Sequence, residues 1–145
     1  MSEYIKNKLI KDCKTIAAKL TEDYGEFFPF ALGVIREDET FVDVMPDDDG
    51  DEDMTNEDVL TELEETFTEL HPEYDFIAVC ICQDVVVTDD DTKEDTDCIE
   101  IRLDMINGGS TNVYVPYTIS DKGKVLFGTP YEEGSSFQFF SYARN

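Results

Sequence analysis

Residues 37–92 hold 22 Asp and Glu and not a single Lys or Arg. A 56-residue block of one charge sign ordinarily reads as a disordered acidic tail, because nothing within it neutralises the repulsion. This block also carries Phe41, Val42, Val44, Val59, Leu60, Leu63, Phe67, Leu70 and the apolar run from Phe76 to Cys82. Apolar residues at helix and strand spacings need a core to bury them, so the block reads as folded protein with an acidic skin.

The remaining charge is nearly balanced. Residues 1–36 carry six basic and five acidic groups, residues 93–145 carry five and eight, and the whole chain sums to −24. So few cations cannot build a basic patch for nucleic acid phosphates or for an anionic membrane. The 145 residues, 41% of them hydrophobic, predict one domain spanning 1–145. No apolar run approaches the roughly 18 residues of a membrane helix, and the opening Met1-Ser2-Glu3-Tyr4-Ile5-Lys6 lacks the features of a secretory signal. Cytoplasm is the expected compartment.

The periodicity predicts an α+β protein. Ile5, Leu9, Cys13, Ile16, Ala17 and Leu20 form one stripe of an amphipathic helix over 2–24, with Lys8, Lys11 and Lys19 outside and Gly25 as its C-terminal cap. Strands follow at Phe27 to Ile35 and Thr40 to Met45, joined by the polar connection Arg36-Glu37-Asp38-Glu39. Thr55 and Asp58 give a capping-box-like start to a second helix, whose inner face is Val59, Leu60, Leu63, Phe67 and Leu70 and which Pro72 stops. Asp75 to Val87 reads as a long apolar strand, Thr88 to Thr96 as a loop, and Asp97 to Ile106 as an alternating strand. Asn107-Gly108-Gly109 turns the chain into a strand over Asn112 to Ile119, a short strand follows at Lys124 to Phe127, and Phe137 to Phe140 packs back as an extended tail. The order α-β-β-α-β-β-β, with short connections, predicts a single mostly antiparallel sheet of five or six strands with two helices, both on one face or one on each.

Chemistry is sparse in the sequence. His71 is the only histidine, so catalytic triads and zinc sites needing two histidines are excluded, and beside Pro72 it reads as a helix-end residue. Gly108-Gly109-Ser110-Thr111 lacks the lysine of a phosphate-binding loop. Cys80 and Cys82 share one strand face, and with Cys98 could form a three-thiolate site, but the apolar surroundings favour buried core cysteines. Asp47, Asp48, Asp49 and Asp51 surround Gly50 in a loop that invites a calcium reading. Setting Gly50 at the sixth position of an EF-hand loop puts Met45 at the first ligand and Asn56 at the last, so the motif fails and a solvated loop is favoured. No catalytic, cofactor or metal residue is assigned.

One surface stands out. Asp58, Glu62, Glu65 and Glu69, spaced four, three and four, form a continuous ridge along the second helix. Like charges at those spacings cost about 0.2–0.5 kcal/mol per pair. The ridge reads either as a means of solubility or salt adaptation or as a docking surface for a basic partner, where the repulsion is relieved on binding.

The pieces Glu26-Phe27-Phe28-Pro29-Phe30, Asp84-Val85-Val86-Val87-Thr88, Cys98-Ile99-Glu100-Ile101-Arg102-Leu103 and Val115-Pro116-Tyr117 together resemble a family of small bacterial proteins with no established activity. That resemblance implies a bacterial, cytoplasmic, single-domain protein and carries no functional residue. The element order is also similar to roadblock and profilin-like domains, which implies a protein-interaction module. The expected function is a non-enzymatic module whose acidic helix, together with the loop aspartates Asp47, Asp48, Asp49 and Asp51, docks a basic protein in the manner of an immunity protein or a nucleic-acid mimic. Two alternatives stay open: a homo-oligomer in which the Lys8, Lys11 and Lys19 face meets the ridge of another copy, and a small-ligand or enzyme domain with no recognisable motif.

Overall fold

The computed structural model of the chain describes residues 2–25, 29–36, 41–44, 56–89, 91–106 and 109–134. It contains helices α1 (Ser2–Tyr24) and α2 (Asn56–Tyr74) and strands β1 (Phe30–Ile35), β2 (Phe41–Val44), β3 (Phe76–Thr88), β4 (Asp95–Met105), β5 (Gly109–Ile119), β6 (Val125–Phe127) and β7 (Tyr131–Gly134). All strand pairs are antiparallel, in the order β2-β1-β3-β4-β5-β6, with β7 also on β5. This is the α+β class with one antiparallel sheet and two helices that the periodicity predicts.

The helices lie on opposite faces. Ile5, Leu9, Cys13, Ala17 and Thr21 of α1, each four residues after the last, are buried; the first four join Phe30, Leu32, Val34, Ala78, Cys80, Cys82, Ile99, Ile101, Leu103, Val113, Val115 and Tyr117 in the larger core. On the other face Val59 and Leu63 of α2 pack with Ala31, Phe76, Val79 and Ile81 in a smaller core. Even-numbered residues of β3 from Ala78 onward therefore face α1 and odd-numbered ones face α2. Phe76 breaks that parity, and the cause is a register shift: Val34 pairs with Ala78 but Ile35 pairs with Phe76, leaving Ile77 as an extra residue. The bulge puts Ile77 beside Ala78 on the α1 face and frees Phe76 for the α2 core.

The outer edge is interrupted for a similar reason. Tyr117 pairs with Phe127 and Tyr114 with Tyr131, so the edge chain takes four steps where β5 takes three, and β6 and β7 occupy one edge in succession. Pro116 lies at the break. Its carbonyl accepts from Gly128 N–H at 2.7 Å, while its nitrogen, on the same side of the strand, has no hydrogen to give.

Several boundaries differ from the sequence reading. The β3–β4 connection spans 89–94 rather than nine residues, because Val86, Val87 and Thr88 continue the ladder opposite Asp97, Thr96 and Asp95. Asp89 Oδ1 accepts from the N–H groups of Asp91 and Thr92 at 2.8 and 3.1 Å, a local turn that acidic composition alone does not reveal. Gly109, Ser110 and Thr111 belong to β5, paired with Met105, Asp104 and Leu103, and β7 was not foreseen. Helix α2 runs two residues past Pro72. A proline in the last turn removes one hydrogen bond, whereas Asp75, with φ of 53°, reverses the backbone and ends the helix. The predicted ends Phe27, Phe28, Thr40 and Met45, the cap Thr55, and the tail Phe137 to Phe140 lie outside the described residues.

Gly25 closes α1 as the sequence predicts, with φ of 84° and its N–H donating to Thr21 O at 2.7 Å. An added Cβ would meet no neighbour, so the cost of a side chain there is purely conformational. Gly25→Ala is expected to destabilise the protein by about 1 kcal/mol without changing the fold. Urea unfolding followed by circular dichroism checks this, and an unchanged midpoint would contradict the cap.

Candidate functional site

Helix α2 covers only the β1–β3 half of its sheet face. Its buried positions Val59 and Leu63 fix its rotation, which turns Asp58, Glu65 and Glu69 to solvent and leaves Glu62 half-buried beside Thr66. The four sequence-predicted carboxylates thus share one helix, and Glu64, exposed on the flank, adds a fifth that the ridge spacing omits. From Asp58 to Glu69 the helix advances about 16 Å, so these five carboxylates fall about 4 Å apart along its axis on average. Thr66 and Thr68 hydroxyls return hydrogen bonds to the carbonyls of Glu62 and Glu64, both at 2.9 Å, and offer the carboxylates no positive charge. The aspartates Asp47, Asp48, Asp49 and Asp51, also predicted at the site, lie outside the described residues, as does the side chain of His71.

Several cations elsewhere are engaged. On α1, Lys6 pairs with Glu132, Lys8 with Asp12 at 3.1 Å, and Lys14 sits over the Phe127 ring at 5.1 Å from its centroid; Lys11 and Lys19 are exposed. Lys124 reaches Glu22 at 3.3 Å, and Arg36 Nε meets Asp75 Oδ2 at 2.8 Å.

On the same side of the sheet as α2, but beyond its cover, lies a polar constellation that the sequence reading missed. Glu100 is only 8% exposed and accepts three hydrogen bonds: Gln83 Nε2 and Arg102 Nε each at 2.7 Å to Oε1, and Tyr114 O–H at 3.0 Å to Oε2. Register creates this. Gln83, Glu100, Tyr114 and Tyr131 stand in one row across β3, β4, β5 and β7, and the Tyr114 and Tyr131 rings stack at 5.4 Å. In the next row Asn112 stands between Arg102 and Glu133, with its Oδ1 buried and without a hydrogen-bond partner among the described residues. The one sequence signal was Glu100 and Arg102 two apart on one strand, hence on one face. Burial by itself pushes the Glu100 carboxyl up, but donation from Gln83 and Arg102, the Arg102 charge and the Tyr114 hydroxyl outweigh it and hold the group below the ordinary glutamate value. Burial first of all, joined by the bond to Glu100 and the charges of Glu100 and Glu133, pushes the Tyr114 phenol up and outweighs the downward pull from Asn112.

The imagined site of Cys80, Cys82 and Cys98 does not form. Cys98 pairs with Val85 and faces the α2 side, whereas Cys80 and Cys82 face α1, where the nearby thiol is Cys13. All four are free and buried, and no group of three His, Cys, Asp or Glu among the described residues is placed to hold a metal ion. Nor is any described helix long and apolar enough to cross a membrane.

No family model, curated protein or solved structure matches this chain. The resemblances drawn from the sequence gain no support from these comparisons, and the site rests on its own geometry.

The Glu100 network gives a signed pH dependence. Its carboxyl titrates lower in the folded protein than the reference 4.5, so the stability it adds is fully present above that value and is lost as pH falls through the lower folded value. At neutral pH Glu100→Gln is expected to cost about 2 kcal/mol, because three donors lose a charged acceptor. The gap between wild type and variant should narrow at acid pH. Urea titrations at about pH 7 and pH 3.5 compare the two, and a gap independent of pH would refute the assignment.

Proposed function

We propose that this chain is a non-enzymatic binding module whose α2 ridge, Asp58, Glu62, Glu65 and Glu69, docks the cationic surface of a basic protein. The observation that carries this reading is the linear charge of α2. With Glu64 included, one carboxylate per about 4 Å is comparable with the one phosphate per about 3.4 Å along a single strand of DNA, so the helix offers a basic protein a line of negative charge of similar spacing. An immunity protein for a nucleic-acid-cleaving partner and a nucleic-acid mimic both fit that description. The ridge costs stability in the free protein, since Asp58 and Glu62, Glu62 and Glu65, and Glu65 and Glu69 repel at helical spacing and Glu69 lies toward the negative end of the helix dipole. A cationic partner relieves that repulsion and gains association rate from the field.

The homo-oligomeric alternative is less well supported. It needs Lys8, Lys11 and Lys19 of one copy to face the ridge of another, yet Lys8 is already paired with Asp12 and α1 holds four acids against five lysines. Each copy also carries −24, so approach of two copies is opposed at long range.

Two outcomes follow. Glu62→Gln, Glu65→Gln and Glu69→Gln, which lie beyond the favourable first turn, should leave the free protein as stable or more stable, by about 0.5–1 kcal/mol at low salt in thermal unfolding, and Asp58→Asn completes the set of four substitutions that neutralises the ridge. In co-purification from its own organism at about 50 and 150 mM salt, the wild type should retain a basic protein that the neutralised variant loses, with weaker retention at the higher salt. Retention that the four substitutions leave unchanged, or none at either salt, would sink the reading.

A further inference from the structure

The larger core contains a nucleophile pair that the docking function does not use. Cys13, midway along the buried stripe of α1, has its Sγ 3.6 Å from Sγ of Cys80 in the middle of β3. Both residues have no exposed surface, and they are 67 positions apart in the chain. Cys80 cannot join its other thiol neighbour, Cys82, because same-face residues two apart on a strand are separated by about 6–7 Å. A disulfide needs its sulfurs at about 2.05 Å, so the Cys13 and Cys80 sulfurs must approach by about 1.5 Å, within the reach of side-chain adjustment.

We propose that Cys13 and Cys80 form an oxidative modification site, in which a disulfide between them fastens α1 to the centre of the sheet. The reaction needs a low-molecular-weight disulfide such as oxidised glutathione. The thiolate of one cysteine attacks a sulfur of that oxidant and expels one thiolate, giving a mixed disulfide. The other cysteine's thiolate then attacks the protein sulfur of the mixed disulfide and expels the second. One S–S bond of the oxidant breaks and one forms in the protein; the two protein sulfurs are oxidised, the oxidant is reduced, and the two cysteine protons end on the two released thiols.

The fold sets when this happens. The Cys80 thiol is held above the ordinary value by its contact with Cys13 and by burial; for Cys13 the contact with Cys80 pulls down, but Cys82 and burial outweigh it and the net shift is upward. Neither sulfur meets a reagent while α1 is seated, so oxidation proceeds through transient lifting of the helix and is slow. Once closed, the bond opposes that same motion. Cys82 also lies beside Cys13 and Cys98 sits on the far face of the sheet, so Cys13–Cys80, in sulfur contact at 3.6 Å, is the expected product and Cys13–Cys82 the competing one.

The test uses the full chain under native conditions with excess oxidised glutathione, acid quenching, alkylation in denaturant and non-reducing peptide mapping. The expected product is a monomer that has lost two hydrogens, with Cys13 linked to Cys80 and with Cys82 and Cys98 alkylated. Its melting temperature should rise by about 10 °C, as expected for closing so long a loop, and fall back on reduction. Cys82→Ala should keep the cross-link and Cys80→Ala should abolish it. A link through Cys82 or Cys98, a stable mixed disulfide, an intermolecular product, or thiols that remain unreacted while an exposed-thiol control oxidises would each overturn the proposal. The wild-type map decides the matter even where a core variant fails to fold.

Discussion

The architecture depends on how much of each strand is covered by a helix. At β1 and the first half of β3 the sheet lies between α1 and α2, so residues of both parities must be apolar, and the chain there reads Phe30-Ala31-Leu32-Gly33-Val34 and Ala78-Val79-Cys80-Ile81-Cys82. At β4 and β5 only the α1 face has a helix over it, and the sequence alternates: Ile99, Ile101 and Leu103 turn inward while Cys98, Glu100, Arg102 and Asp104 turn to the other face. Moving either helix would expose one class of strand or bury the polar residues of the other. The single-residue bulge at Ile77 belongs to the same constraint, because without it Phe76 would face α1 and the α2 core would lose the largest of its described buried side chains.

This explains how much could be read before the structure. Runs and alternations are properties of single elements, so both helices, the antiparallel sheet and the α1 cap were legible from spacing and from Gly25. Whether the helices share a face was not, because it depends on the parity of β1 and β3 relative to each other. The Glu100 network was illegible for the same reason: Gln83, Glu100, Tyr114 and Tyr131 come from four strands, and only the registers of three ladders place them in one row. The thiol pairing failed on parity too, since Cys98 and Cys80 are on neighbouring strands yet on opposite faces. Strand β7 was missed because Tyr131-Glu132-Glu133-Gly134 is polar and short; it is held by its ladder to β5 rather than by burial. The acidic ridge was legible because an i, i+4 array within one helix needs no tertiary information, although the half-burial of Glu62 came only with the helix's rotation.

The two faces differ in charge as well as in packing. On the α1 side lysines are close to acids of the same surface: Lys6 with Glu132, Lys8 with Asp12 and Lys124 with Glu22. On the α2 helix itself there is no lysine or arginine at all. Arg36 is committed to Asp75, the residue that follows the helix, and Arg102, on that side of the sheet, has its Nε committed to Glu100. In a chain of net charge −24, these lysines stand beside acids while α2 carries no cation of its own, which concentrates negative charge on that helix.

The buried carboxylate of Glu100 is tolerated because of its donors. Burial pushes the carboxyl toward the neutral form. Three directed donors oppose that, and they come from strands on either side of β4 as well as from β4 itself, so the ionised state of Glu100 and the register of β3, β4 and β5 sustain each other. Slipping β5 by one residue would carry Tyr114 to the opposite face and remove its bond, and slipping β3 would do the same for Gln83. The network is thus a register lock, internal to the sheet, in which the Nε of Arg102 is turned to Glu100 to hold the strands in place.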